Sequence, residues 1–440
     1  MHAIQKPRTH WFGLPMNLFW GYIAIAIFMS GDGFEMAFLS KHIIDMGFTA
    51  SQSALVFTVY GLAAALAAWS SGVVAEIITP QKAMRIGFIL WVVMHVLFML
   101  FGLGMKNYPL MLLFYGVRGL AYPLFIYSFV MLVVQTVPKQ NLSSAMGWFW
   151  AMYSIGIGCI GSYLPSFTIP FMGETGTLWF AIAWVVVGGL MAITLLRHVG
   201  TPSSKASLSP KEKMGELSRA VTILFTNRNI FLSCLIRIIN TLSLFGFAVI
   251  MPILFVGRLG FSMSEWLQIW AVFFFVTIFT NIMWGILGEK IGWLRQVRWF
   301  GCIGCAISSL TFYYLPVYFG HNFWMALIPA IMLGITVAAF VPMTAVFPVL
   351  EPHHKGAAIS IYNLSAGLSN FVAPAIASIV LPFFDIVGVV WVYTALYLVA
   401  AVLTVIVKVE QPGHPAKTKP APPPHSLCTA DIKKPGESPA

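Results

Sequence analysis

Asp32 and Glu35 stand three residues apart in an otherwise apolar run, a spacing that puts both carboxylates on one face of a helix. An acid in hydrocarbon must be protonated, paired or turned toward water, because an isolated charge there is costly. Arg118, in another apolar run, is the candidate partner, since it and Asp32 fall at a similar depth, somewhat beyond the midpoint of their runs. We expect Asp32 to carry a proton coupled to Arg118, with a purely structural lock as the alternative. Glu35 lies nearer the outer end, where a solvated mouth position and a coupling role are both open. Gly31 and Gly33 flank the aspartate and weaken the helix, as expected where backbone lines a cavity. Arg237 and Asn240 are also three apart on one face. That guanidinium can bind a hydroxyl-rich solute, balance an acid from elsewhere, or snorkel to the interface.

The elements that must position these groups follow from composition. Of 440 residues, 59% are hydrophobic and only 9% charged, against about 25% charged in an ordinary soluble domain. The chain therefore reads as an all-α polytopic membrane protein. Runs long enough to cross hydrocarbon fall near 17–40, 53–76, 83–104, 108–136, 142–167, 176–196, 230–257, 264–287, 297–318, 323–349, 356–383 and 387–408. No segment alternates as a membrane β-strand would. Segment 1–16 is read as a cytoplasmic lead-in without a cleavable signal, and the first apolar run as a retained span.

Lys41, Lys106 and Arg258 alone fall in the loops of one side, and Arg118 and Arg237 within spans; the other basic residues gather on the opposite side. By the positive-inside rule both termini are cytoplasmic, and the sparse side is the outer one. The Ser-, Lys- and Pro-rich stretch 197–229 is a cytoplasmic loop dividing two six-helix bundles, 17–196 and 230–408. The Pro- and Lys-rich tail, 409–440, is too poor in apolar residues to pack and is expected to be disordered. The net charge of +11 is scattered through short breaks and not gathered on a phosphate-binding face, so nucleic acid is not a partner.

An internal repeat supports two halves. Gly72 and Glu76, followed by Lys82 and Arg85, are matched at one constant separation by Gly285 and Glu289, followed by Lys290, Gly292, Arg295 and Arg298. Glycine lets helices approach closely, and an acid beside basic residues at a span's end can act as a latch. Gly285, Glu289, Lys290 and Gly292 resemble the inter-span signature of the major facilitator superfamily, which implies twelve helices in two pseudo-symmetric bundles. The first copy departs from it at Thr79, Pro80 and Gln81.

Trp11-Phe12-Gly13-Leu14-Pro15, Trp20-Gly21-Tyr22, Gly31-Asp32-Gly33-Phe34-Glu35 and Tyr60-Gly61 are more specifically similar to the polyol permeases that take up ribitol and D-arabinitol. Arg118-Gly119-Leu120-Ala121-Tyr122-Pro123-Leu124-Phe125 and Gly147-Trp148-Phe149-Trp150 add to the likeness. The resemblance implies proton-coupled uptake of a small polyol across the plasma membrane, the inner membrane in a bacterium. It leaves open which polyol, and H⁺ against Na⁺ coupling. A polyol site should set Asn, Gln, Tyr or Arg hydrogen-bonders between aromatic walls. Tyr122, Tyr127, Trp148, Trp150, Tyr153, Asn281, Tyr362, Asn363 and Asn370 meet that description, with Arg237 and Asn240.

Other readings are weaker. A proton-coupled antiporter exporting drugs or metabolites would use the aromatic and Met richness, and a non-transporting membrane receptor would share the fold. An enzyme would need a nucleophile with its base, which the spans lack. With no phosphate-binding Gly-rich loop, no ATP is expected; nor is any other cofactor or a metal. Cys302 and Cys305 have redox spacing but sit in an apolar run, and Glu351, His353 and His354 read as a solvated loop. His95 reads as a neutral histidine bonded to a neighbouring helix. We expect a monomer.

Overall fold

A computed structural model of the chain describes residues 10–11, 14–137, 142–197, 199, 210–352 and 355–409. The tail beyond 409, the loop pair His353 and His354, and most of the lead-in lie outside the described residues. A two-residue antiparallel pairing, β1 (His10–Trp11) with β2 (Leu14–Pro15), precedes an otherwise helical chain.

The first half comprises α1 (Phe19–Gly33), α2 (Leu39–Asp45), α3 (Ala50–Ile78), α4 (Pro80–Leu97), α5 (Tyr108–Arg118), α6 (Ala121–Thr136), α7 (Leu142–Ser154), α8 (Gly161–Tyr163) and α9 (Pro165–Leu195). The connecting helix α10 (Pro210–Thr226) leads to α11 (Arg228–Asn240), α12 (Leu242–Phe255), α13 (Met263–Ile291) and α14 (Trp293–Gln296). The chain ends with α15 (Gly304–Phe319), α16 (Phe323–Ala338), α17 (Met343–Leu350) and α18 (Lys355–Ile406). Among the described residues, nine helices or unbroken helical runs are long and apolar enough to cross a membrane. The first expected span is missing from that set because α1 stops at Gly33 before a turn; the fifth is built of α7, a wider π-helical stretch, Ile155–Ile160, and α8. The eleventh and twelfth run together as α18, which bends at Asp385.

The two halves repeat their local stops and starts. Thr49 caps α3 by accepting from the Gln52 backbone while the Gln52 side chain returns to Thr49; Ser262 and Glu265 do the same for α13. Asn107 and Asn322 cap α5 and α16 alike. The bends at Gly173 and Asp385 share a left-handed backbone, φ 72° and 58°. So do the turns at Gly292, φ 94°, and Thr79, φ 86°. A β-branched residue in that region is strained by about 1–3 kcal/mol. Thr79→Gly is therefore expected to raise stability by about 1 kcal/mol, after the entropy that glycine gives back. Thermal melting of the purified protein reads this, and a lowered melting point would refute the strain.

Several expectations about glycine need correction. Gly31 and Gly33 do not line a cavity: a side chain at Gly31 would meet the Ala181 carbonyl, and one at Gly33 the backbone of Ile157. They let α9 and the π stretch pack against α1. Gly285 faces open space, and the close approach falls instead at Gly288, beside Pro342 and Gln296. The side chains of Glu76 and Glu289 lie outside the described set, and Gly72 is placed only as part of α3; Lys290 is exposed at the end of α13. The central segment is not all loop, since α10 buries Ala220 and Ile223 against the second half.

Contact between the halves is uneven. Gly61 packs against the Asn370 backbone and Gly367 against Ala65, bringing α3 and α18 together. Toward the end that carries Lys41, Lys106 and Arg258, Ser40 Oγ donates to Val249 O (2.5 Å), Ser51 Oγ to Ser378 O (2.5 Å), Trp266 Nε1 to Ala37 O (2.7 Å) and Ser264 Oγ to Ser166 O (2.6 Å). The apolar core of the second half is continuous there with Ala37, Phe38, Ile43, Val56 and Leu178 of the first. The remaining core of the first half forms a separate cluster. The halves are thus sealed together at the end that carries Lys41, Lys106 and Arg258.

Candidate functional site

α1 ends at Gly33, so Asp32 sits in its last turn and Glu35 in the turn that follows, and both face one cavity. They take different partners. Glu35 forms the two-point ion pair with Arg118, Nη1 donating to Oε2 at 2.9 Å and Nη2 to Oε1. The expected Asp32–Arg118 pair is therefore replaced by Glu35–Arg118, and Glu35 is buried, not at a solvated mouth. Asp32 Oδ1 accepts instead from Trp91 Nε1 at 2.5 Å.

Arg118 sits at the last residue of α5, where α5 and α6 are interrupted, and is fully buried. Its guanidinium lies over Tyr115 (4.6 Å), Trp91 (4.9 Å) and Tyr60 (5.6 Å), so aromatic faces wrap the cation where no acid reaches it. His95, one turn beyond Trp91 on α4 and stacked on it, places Nε2 3.1 Å from Leu178 O and Nδ1 against Arg118 Nη1. A carbonyl only accepts and a guanidinium only donates, so this geometry fits the neutral ring with its proton on Nε2.

A cavity opens beside this cluster between the halves. Asp32, Glu35, Tyr60, Tyr115, Tyr122 and Tyr153 line it from the first half; Phe245, Ala248, Asn370 and Pro374 face them from the second. Asn370 Nδ2 donates to the Tyr122 hydroxyl across the gap at 3.4 Å. A wall of phenol hydroxyls, one carboxamide and an acid, backed by apolar surface, can exchange hydrogen bonds with a small hydroxylated solute.

Of the residues expected to bind solute, Tyr122, Tyr153 and Asn370 come together here. Tyr127, Arg237 and Tyr362 form a second group, in which the Arg237 guanidinium lies 5.1 Å from the Tyr362 ring centre. Asn240 is buried at the end of α11 one turn beyond Arg237. Trp148, Trp150, Asn281 and Asn363 lie off the cavity wall. Trp150 packs edge-on against Tyr153 and leaves 41% of its surface exposed.

Trp91, His95 and Tyr115 were not anticipated as parts of the site. Their signal was periodicity: Trp91 and His95 four apart on one helix, and Tyr115 and Arg118 three apart on another.

The Major Facilitator Superfamily model matches residues 21–343 and, again, 234–436. The chain is 66% identical over 406 residues to a D-arabinitol transporter of Klebsiella pneumoniae (92% of this chain, 96% of the other). It is 64% identical over 406 residues to a ribitol transporter of the same organism (92% and 95%). An alpha-ketoglutarate permease of Bacillus subtilis (strain 168) is 41% identical over 392 residues (89% of each). In fold, the chain superposes on the crystal structure of a D-xylose-proton symporter with a TM-score of 0.67 at 14% identity, covering 88% of this chain and 97% of that one.

Proposed function

Because the chain belongs to the Major Facilitator Superfamily, we propose that it takes up a small polyol such as ribitol or D-arabinitol in symport with a proton, by alternating access. It is a transporter and not an enzyme. In this reading two six-helix bundles, twelve helices in all, rock about the cavity that both line. Both termini face the cytoplasm, a monomer is the working unit, and the plasma membrane is its place.

The observation that carries the reading is the cavity itself, in which Asp32, an acid with no ion-pair partner among the described residues, shares one wall with the Tyr122–Asn370 bridge between halves. The D-arabinitol and ribitol transporters that it resembles supply the substrate class. The turn after α1 offers the coupling. It holds Glu35 against Arg118 and, two residues on, offers the Ala37 carbonyl to Trp266 of the other half. A change in charge at Asp32 acts on the Arg118 cluster, moves this turn, and loosens the outer seal.

Purified protein in liposomes tests this. An inward proton gradient should drive accumulation of labelled ribitol or D-arabinitol, and a protonophore should abolish it. Accumulation indifferent to pH and driven by a sodium gradient would refute the proton; binding without flux would refute transport. Asn370→Ala, which removes one hydrogen-bonding group worth about 0.5–1.5 kcal/mol, should weaken polyol binding about three- to tenfold. Unaltered affinity would remove Asn370 from the site.

A further inference from the structure

We infer that Arg237, with Asn240 and the phenols of Tyr127 and Tyr362, forms a second subsite that accepts the carboxylate of a polyhydroxy acid. This rests on the transport reading above and widens its substrate class from polyols to their acids. None of these four lines the cavity described above; the subsite lies beyond it, with Tyr362 about 12 Å of helix rise before Asn370 on α18 and Tyr127 more than a turn after Tyr122 on α6.

The contrast with Arg118 makes the case. Both arginines lie inside spans and carry a permanent charge. Arg118 has a carboxylate bonded at two points and aromatic faces around it, with its Nε alone of the three guanidinium nitrogens lacking a hydrogen-bond partner among the described residues. Arg237 has the aromatic face of Tyr362, but its Nε and Nη1 are buried without a hydrogen-bond partner among the described residues. One turn on, the Asn240 side-chain oxygen is likewise buried and unpartnered, its backbone carbonyl being taken by the Tyr397 hydroxyl. The described acids of the second half are placed elsewhere: Glu265 and Asp385 stand at the outer end with His321 and Arg258, and Glu351 lies at the end of α17.

A half-buried cation with no ion-pair partner among the described residues is unfavourable, and an arriving carboxylate supplies both the charge and the missing acceptors. Asn240 and Tyr127 then stand ready for the hydroxyls of the same molecule. Tyr127 comes from the first half and Arg237 from the second, so such a ligand bridges the two bundles as the Tyr122–Asn370 contact does.

The test is binding to the full-length protein in nanodiscs, by titration calorimetry, with ribitol and with ribonate, the five-carbon acid that differs from it by one carboxylate. Ribonate should bind, and Arg237→Gln should lower the ratio of ribonate to ribitol affinity about tenfold or more, with part of it restored in Arg237→Lys. Ribitol binding without ribonate binding overturns the inference and leaves the polyol reading intact. Ribonate binding that depends on Arg237, without ribitol binding, upholds the inference and overturns the polyol reading; binding of neither overturns both. An equal loss of both ligands in Arg237→Gln, with Arg237→Lys no more selective, overturns the inference and makes Arg237 a structural or inter-bundle charge.

Discussion

Glu35→Ala is expected to be among the most destabilising single changes in the chain, at about 3–5 kcal/mol, the usual cost of stripping one partner from a buried ion pair. Arg118 is fully buried and cannot be neutralised by losing its proton. Without Glu35 it keeps only aromatic faces, the lone pair of His95 and the distant field of Asp32. Arg118→Ala should be comparably damaging, since it leaves the Glu35 carboxylate alone in the same place. Exchanging the two, Glu35→Arg with Arg118→Glu, should recover part of the loss, because the charges are again opposed even though their lengths differ. Melting curves in detergent of the parent, Glu35→Arg, Arg118→Glu and the exchanged double variant decide it. If the damage in the double variant equals the sum of the single losses, the pair contributes no coupling and its role here is wrong.

The helical layout was legible because a membrane span writes its length directly into hydropathy, and the capping pairs Thr49–Gln52 and Ser262–Glu265 are local signals. The partner of Arg118 was not legible. α1 ends at Gly33, and nothing in the spacing says which of the two carboxylates, Asp32 or Glu35, reaches a guanidinium on a helix far along the chain. The same limit explains Gly31 and Gly33, read as weak points and found as contact surfaces. It also explains Trp150, which a composition of hydrogen-bonders and aromatics cannot orient. Which of the expected solute-binding residues face the cavity, Tyr122, Tyr153 and Asn370 among them, depends on helix rotation, which only the neighbouring helices fix. His95 was read as a neutral group bonded to another helix, and its bond to Leu178 has that form; its second contact, to Arg118, comes from α5 and was invisible in its own span.

Asp32→Asn should leave the fold intact and abolish proton-driven accumulation. Charge balance in the cluster gives the reason. Asp32 and Glu35 bring two negative charges, Arg118 one permanent positive charge, and neutral His95 none. Glu35 is committed to Arg118 at two points, so protonating it breaks the strongest contact in the group. Asp32 accepts one bond from a neutral indole and faces the cavity, so a proton can reach it and cancel the surplus charge while the ion pair survives. Asparagine keeps an oxygen for Trp91 and fixes the neutral state permanently. With one proton per solute, a gradient of one pH unit supports about tenfold accumulation; the variant should fall to simple equilibration, while exchange of labelled for unlabelled polyol across the membrane continues. Glu35→Gln gives the necessary contrast, since it should lower the melting point as well as transport. Accumulation by Asp32→Asn equal to that of the parent protein would move the proton to another group, and loss of exchange together with accumulation would make Asp32 a ligand for the solute and not the carrier of the proton.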